Sequence, residues 1–230
     1  MTFSLVARCA ETGMFGVAVS SSSPAVAARC AYARAGAGAV ASQNVTDPTL
    51  GPKALDLLAS GLSAADTKTA LSKVMTHPDF RQVLIVDKNG TTAIHSGAKS
   101  LGTWTEATGT DVAAAGNLLA TPGVPAAMVR AFENSAGKSL HLGDRLLDAM
   151  QAGLGAGGEA GPIHSAGIKL VDNVAWPVAI SALTGRKAAR LANSRHYGRC
   201  ISRSSKTTSP APSTPRRHLA TASPATTHDR

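Results

Sequence analysis

Aromatic side chains are scarce in this sequence, at 3% of 230 residues. A core with few rings is filled by small and branched side chains, so its elements must approach closely. Hydrophobic residues still make up 43% of the chain, enough to bury the core of one sizeable domain or two small ones. Cysteine is almost missing: Cys9, Cys30 and Cys200 are an odd number and form no C-x-x-C. That speaks against a disulfide framework or a zinc site and for a reducing compartment. No secretory leader is read at the front of the chain, where Arg8 interrupts the apolar run. The longest Ala-rich stretch, residues 25–40, carries Arg29 and Arg34. No membrane span is therefore expected, and the protein is expected to be cytoplasmic.

Acidic residues are missing from one region in particular. Residues 1–180 hold thirteen Lys or Arg and thirteen Asp or Glu, whereas residues 181–230 hold ten and one. The net charge of +9 thus belongs to the last 50 residues, and the body is neutral. Ser, Thr, Pro and Arg supply 27 of those 50 residues, which contain no Phe and no Val. So little apolar surface cannot offset the entropy of ordering. A domain over residues 1–179 and a disordered basic tail over residues 180–230 are expected. Such an arm can hold nucleic acid without sequence preference. The neutral body offers no basic helix or aromatic series, so nucleic acid is the weakest of the partners considered.

Alternation of side chains predicts strands at residues 3–8 (FSLVAR) and 15–20 (FGVAVS), with a turn at ETG between them. Residues 38–43 (GAVASQ) read as a third strand. PKALDLLASG predicts a helix with Pro52 at its first position and Gly61 past its end. In LSAADTKTALSKVM, Ser63 and Asp66 resemble a capping box, and Leu71, Val74 and Met75 form an apolar face. A second hairpin, QVLIVD and TTAIHSG, turns at Asn89-Gly90, where both central residues favour positive φ. DVAAAGN reads as a further strand. Helices follow from about Thr121-Pro122 to Asn134 and over residues 141–152, the second stopping at Gly153. HSAGIKLVD and NVAWPVAI form a third hairpin. Paired strands alternate with paired helices, and hairpins build antiparallel sheets that each need a cover on one face. The predicted fold is α+β: a four-layer α-β-β-α sandwich of two antiparallel sheets flanked by helix pairs.

The phrases TFSLVA, ETG, GVAVSS, ARAGAGAVASQ, DPTLGPKALDLLASGLS, RQVLIVD, HSGA, GNLLA and GPIHSAG, in that order, resemble the domain-of-unknown-function family 1028 over about residues 2–178. That family is similar to the N-terminal nucleophile (Ntn) hydrolases, whose fold is the sandwich just derived. Thr2 stands directly behind Met1 at the outer end of the first strand. Aminopeptidases remove Met1 ahead of a small residue. The bared α-amine, with an ordinary pKa near ~8, can take the proton of the residue's own hydroxyl, so that nucleophile and base are one residue. Strand preference alone also accounts for a Thr here. The resemblance implies the catalytic role, because that fold places the strand end in the site cleft.

Acyl transfer also needs donors for an oxyanion and a group to orient the amine. Polar residues at strand ends are the candidates. Asn117 and Gln43 lead as catalytic donors. Asn44, His95, Ser96, Gly97, Gly116, His164 and Ser165 are candidates for binding substrate. Turn capping is the plain alternative for each. No Lys stands at a spacing that would supply a proteasome-like partner.

Other motifs carry less. Gly36-x-Gly38-x-x-Ala41 leads into a strand instead of opening a helix, so no dinucleotide cofactor is implied. Ser96-x-x-Lys99 and Ser135-x-x-Lys138 both match S-x-x-K, which shows how cheaply that pattern arises. His77, His95, His141 and His164 lack paired ligand spacing, so no metal is expected. The Gly-rich run 153–158 reads as a flexible link. The expected activity is hydrolysis of an amide bond in a small molecule or peptide, with no cofactor. The alternative is a non-catalytic binding or scaffold protein that retains the fold. Flat Ala/Gly-rich faces would suit a homo-oligomer.

In the resembled family, the strand after the Trp-Pro step continues with an acidic D-L-R-V-D phrase and then a helix. Here Trp176-Pro177-Val178-Ala179 runs into ISALTGRKAARLANSR, a change in mid-strand that a shifted reading frame in GC-rich DNA produces. Residues from about 180 onward are accordingly expected to be out of frame. Translating the coding DNA in the other two frames should reveal a D-L-R-V-D-like continuation in one of them. Its absence from both would contradict the expectation.

Overall fold

The computed structural model describes residues 1–185. The first two alternating runs form β1 (Thr2–Arg8) and β2 (Phe15–Ser21), which pair antiparallel from Thr2–Ser21 to Arg8–Phe15. Between them the Cys9 N–H bonds back to the Met14 carbonyl, and Gly13 takes φ 74°, which only a residue without Cβ adopts freely. The next elements are α1 (Val26–Cys30), β3 (Ala31–Arg34), β4 (Gly38–Asn44), α2 (Leu50–Ala59) and α3 (Ala64–Val74). A single 3-10 turn at Pro78–Phe80 leads into β5 (Arg81–Asp87) and β6 (Thr92–Ser96). The second half comprises β7 (Thr105–Gly109), β8 (Val112–Asn117), α4 (Val124–Glu133), α5 (Leu142–Gly155), β9 (Ser165–Val171) and β10 (Pro177–Thr184). No helix among the described residues is long and apolar enough to cross a membrane.

Two antiparallel sheets result, a six-stranded one in the order β10-β9-β2-β1-β8-β7 and a four-stranded one in the order β3-β4-β5-β6. Side chains alternate across each strand and so serve two layers at once. From β1, Phe3, Leu5 and Ala7 pack on Val124, Met128 and Phe132 of α4 and on Leu142 and Leu146 of α5. Val6, one residue out of phase, joins Val17, Val19, Ala39, Ala41, Leu84 and Val86 between the sheets. On the far side, Val40, Val83 and Ile85 pack on Leu50, Ala54 and Leu58 of α2 and on Leu71 of α3. This is the four-layer α-β-β-α sandwich. The layer between the sheets is built largely from Ala and Val, as the scarcity of rings requires.

Several local expectations need correction. The Ala-rich stretch 25–40 holds α1 and β3, and edge strand β7 went unread because its residues are short, polar and only partly buried. Helix α2 begins at Leu50, so Pro52 is its third residue. Helix α5 runs through Gly153, whose missing Cβ lets Met128 of α4 approach: a Cβ there would lie 2.8 Å from Met128 Cγ. At the β5–β6 turn only Gly90 takes positive φ, while the Asp87 carboxylate receives the N–H groups of Asn89 and Thr91. Ser63 does cap α3, accepting from the Asp66 N–H at 3.1 Å. Val74, however, is 61% exposed, because Met75 takes the inward position as the chain leaves the helix. Strand β10 pairs with β9 as far as Thr184, and the rest of the expected tail, with Cys200, lies outside the described residues.

Two glycines separate close packing from idle flexibility. At Gly167 in β9 a Cβ would lie 2.2 Å from Ala27 Cβ and 3.3 Å from Ala27 Cα, atoms of α1 that no side-chain rotation can move. Gly167→Ala should therefore cost about 1–3 kcal/mol in urea unfolding. Gly155, in the last turn of α5, has nothing within 4 Å of such a Cβ, and Gly155→Ala should gain up to about 1 kcal/mol.

Candidate active site

The layer between the sheets changes character at one end. Thr2 and Ser4 share the inward face of β1 with Val6, because alternate residues share a face. The β1 register pairs Thr2 with Ser21 on one side and Asn117 on the other. Ser21 in turn pairs with Ser165 and Ser165 with Thr184, so five strands of the larger sheet carry a hydroxyl or amide in one cross-strand row. In the smaller sheet Gln43 pairs with Gln82 and Gln82 with Ser96. Two polar rows thus face each other where the apolar layer ends.

They are joined by a closed set of hydrogen bonds. Ser4 Oγ donates to Gln43 Oε1 at 2.7 Å. Gln43 Nε2 donates to Gln82 Oε1 at 2.7 Å and to the Ala115 carbonyl at 3.2 Å. Gln82 Nε2 donates to Ser96 Oγ at 3.0 Å and to the Gly116 carbonyl at 3.3 Å. Asn117 Nδ2 donates to Gln82 Oε1 at 3.2 Å. A backbone carbonyl can only accept, so those two contacts fix which way each glutamine amide points. Both amide hydrogens of Gln43 and of Gln82 are committed. Asn117 keeps one of its two uncommitted among the described residues.

Thr2 is held beneath Met1. Thr2 Oγ1 and Ser21 Oγ each donate to the Met1 carbonyl at 2.6 Å, and the two hydroxyl oxygens are 3.0 Å apart. Each hydroxyl has a single hydrogen, so the Met1 carbonyl takes both. Thr2 is only 6% exposed. Three cavities, one under α5, one by Asp111 and Arg145 and one by Trp176, are all lined by other residues.

Sequence reasoning missed Glu159. The run 153–158 is no loose link: Gly157 and Gly158 turn the chain at positive φ, and Glu159 forms a bridge with Leu119. Glu159 is 7% exposed, with Oε2 accepting the Ser22 N–H at 2.8 Å and Oε1 buried without a partner among the described residues. Burial pushes its carboxyl up to about 7, against the opposing pull of the Ser22 N–H and of the Met1 amine charge. No local signal marks it, since its partners lie far away in the chain.

The remaining predicted residues divide. Ser96 reaches the network through Gln82, and Ser165 stands in the cross-strand row, where its hydroxyl bonds to the Ser23 carbonyl. His164 Nδ1 contacts the Ser22 carbonyl at 2.9 Å, near Glu159's anchor. His95 lies on the opposite face of its strand, with Nε2 2.9 Å from the Pro78 carbonyl. Asn44 pins two loops by bonding the Phe80 carbonyl and the Leu101 N–H. Gly97 and Gly116 permit close approach, a Cβ meeting the Pro78 carbonyl at 2.2 Å and Leu119 Cδ2 at 2.5 Å respectively. Ser4, Ser21 and Gln82 belong to the site and were not singled out. Their signal was an inward polar residue breaking an otherwise apolar alternation.

The sequence matches the model of a family of unknown function, DUF1028, over residues 2–185. A crystal structure of a protein from Silicibacter pomeroyi, described with the same family model, is 25% identical at a TM-score of 0.76. The match covers 86% of this chain and 88% of that one. Anbu, an ancestral β-subunit from Yersinia bercovieri, is 9% identical at a TM-score of 0.42 over 92% of this chain and 100% of that one, too slight a likeness to argue from. No curated protein matches the chain significantly.

Glu159 makes stability depend on pH. The folded carboxyl keeps its proton to about pH 7, whereas the unfolded chain releases it near the ordinary 4.5. Between those values the native state binds the extra proton, so stability falls as pH rises. Glu159→Gln keeps an acceptor for Ser22 and removes the ionisation. It should flatten that fall and raise stability at pH 8 by on the order of 2 kcal/mol, read from urea midpoints at pH 5 and pH 8.

Proposed function

The chain belongs to DUF1028, a family of unknown function, and on that footing we propose that it is an amide-bond hydrolase of the N-terminal nucleophile type, with Thr2 as nucleophile once Met1 is removed. One observation supports this above the others: Thr2 Oγ1 lies in the polar row of the larger sheet, between Ser21 and Asn117, bonded to the carbonyl of the residue whose excision would bare its amine. Loss of Met1 releases two hydroxyl hydrogens together, those of Thr2 and Ser21. The α-amine of Thr2 takes the Oγ1 proton as Oγ1 attacks the amide carbon. Asn117, paired with Thr2 across β1 and β8, offers its uncommitted amide hydrogen to the developing oxyanion. The amine then protonates the leaving nitrogen, the C–N bond breaks, and water activated by the same amine hydrolyses the ester.

Gln43 has a different part in this reading. With both amide hydrogens engaged, it holds Ser4 and Gln82 in place and does not itself donate to substrate. Ser96 and Ser165 frame the site, which takes the amide of a small molecule or short peptide. A reducing cytoplasm suits the free, buried thiols of Cys9 and Cys30. The near-complete burial of Thr2 favours a second reading, a non-catalytic protein that keeps the fold.

Intact-mass measurement and a β-lactone acylating probe separate the two. The hydrolase reading expects a purified chain without Met1 that takes one label, lost in Thr2→Ala and kept in Thr2→Ser. A chain that retains Met1 and takes no label supports the binding protein.

A further inference from the structure

Met1 shows what fits against Thr2. Its carbonyl is gripped by the hydroxyls of Thr2 and Ser21 at 2.6 Å each. Its side chain lies over Gly161, where an added Cβ would meet Met1 Cε at 2.5 Å and Sδ at 2.9 Å and nothing else within 4 Å. Its amine forms no ion pair with Glu159, although its positive charge still pulls on that carboxyl from a distance. Glu159 Oε1 is buried and unpartnered among the described residues, a costly state for a carboxylate oxygen unless something cationic fills it. Carbonyl and unbranched apolar side chain thus each have a place, and Glu159 Oε1 is left as an open acceptor.

From this juxtaposition we infer that the space held by Met1 is a recognition site for the α-amino acyl end of the substrate, so that the bond cleaved follows the N-terminal residue of a short peptide or amino acid amide. The inference rests on the reading of Thr2 as an N-terminal nucleophile. Glu159 receives the substrate ammonium, Ser21 the carbonyl, and the bare backbone of Gly161 forms the floor under the side chain. Thr2 Oγ1 bonds to the acyl carbon while its proton passes to the Thr2 amine. The C–N bond breaks as the leaving nitrogen takes that proton. Water then splits the ester, releasing the free amino acid and restoring the hydroxyl. An N-acylated residue is excluded by loss of the charge that Glu159 requires.

Binding can be measured apart from chemistry. The Thr2→Ala chain, shown by mass to lack Met1, is titrated calorimetrically with L-methioninamide, glycinamide and N-acetyl-L-methioninamide. L-Methioninamide should bind at least about tenfold more tightly than its acetylated form, and adding Glu159→Gln should abolish that difference. Adding Gly161→Ala, whose new methyl touches only the ligand's space, should weaken L-methioninamide about tenfold and leave glycinamide unchanged. Equal binding of the free and acetylated amides, no effect of Glu159→Gln, or an equal loss of both amides in Gly161→Ala would overturn the inference. None of these outcomes depends on a nucleophile. Failure here therefore leaves labelling of Thr2 intact, and failure of labelling leaves these affinities to stand alone.

Discussion

Gln82 holds the two sheets together at the polar end of the sandwich. It is fully buried, and a carboxamide taken from water without partners is costly. Its oxygen receives hydrogens from Gln43 and Asn117, and its nitrogen gives them to Ser96 and to the Gly116 carbonyl. Each member is satisfied only while the others are present, so the network behaves as a unit. Because it ties β5 to β8, it fixes the height of Asn117 against the smaller sheet. The pairing of β8 with β1 passes that constraint to Thr2. A one-residue slip in either pairing would turn Thr2 toward the helices and Phe3 toward the polar end, losing both layers at once.

Met1 completes this arrangement in a way that is chemically self-limiting. While its carbonyl takes the hydrogens of Thr2 and Ser21, neither hydroxyl has a hydrogen left to donate, and Ser21 Oγ also accepts the Ser23 N–H at 3.0 Å. Thr2 is itself almost fully buried, and the Met1 side chain stands over Gly161. Glu159, carried into place by the turn at Gly157 and Gly158, adds a carboxyl whose burial favours the protonated form against the opposing pull of the Ser22 N–H and the Met1 amine charge.

Much of the architecture was legible because its signals are local. FSLVAR, FGVAVS and RQVLIVD alternate or run apolar within a few residues, and Ser63 caps its helix through a neighbour three positions on. Hairpins joined by short turns then dictated antiparallel sheets and, with paired helices, four layers. What stayed hidden depends on partners distant in the chain. That β1 lies beside β8 as well as β2 is a long-range pairing with no local trace. Glu159 meets Ser22 from 137 residues away, and its Gly-rich approach resembles a loose link until those glycines are seen to take positive φ. Gln82 is one polar residue at the start of an apolar strand, and only the register shows that it faces Asn117. His95 was misplaced for the same reason: alternation shows that successive residues oppose each other, but not which face meets the other sheet.

The central claim is that Thr2 Oγ1 is the atom that accepts an acyl group, with Asn117 beside the carbonyl oxygen. A crystal structure of the Met1-free chain, frozen after exposure to an activated aminoacyl ester, tests it directly. The account predicts continuous density from Thr2 Oγ1 to the acyl carbon, with the acyl carbonyl oxygen within hydrogen-bond distance of Asn117 Nδ2. An unmodified Thr2, with the acyl group absent or attached to another residue, would contradict it.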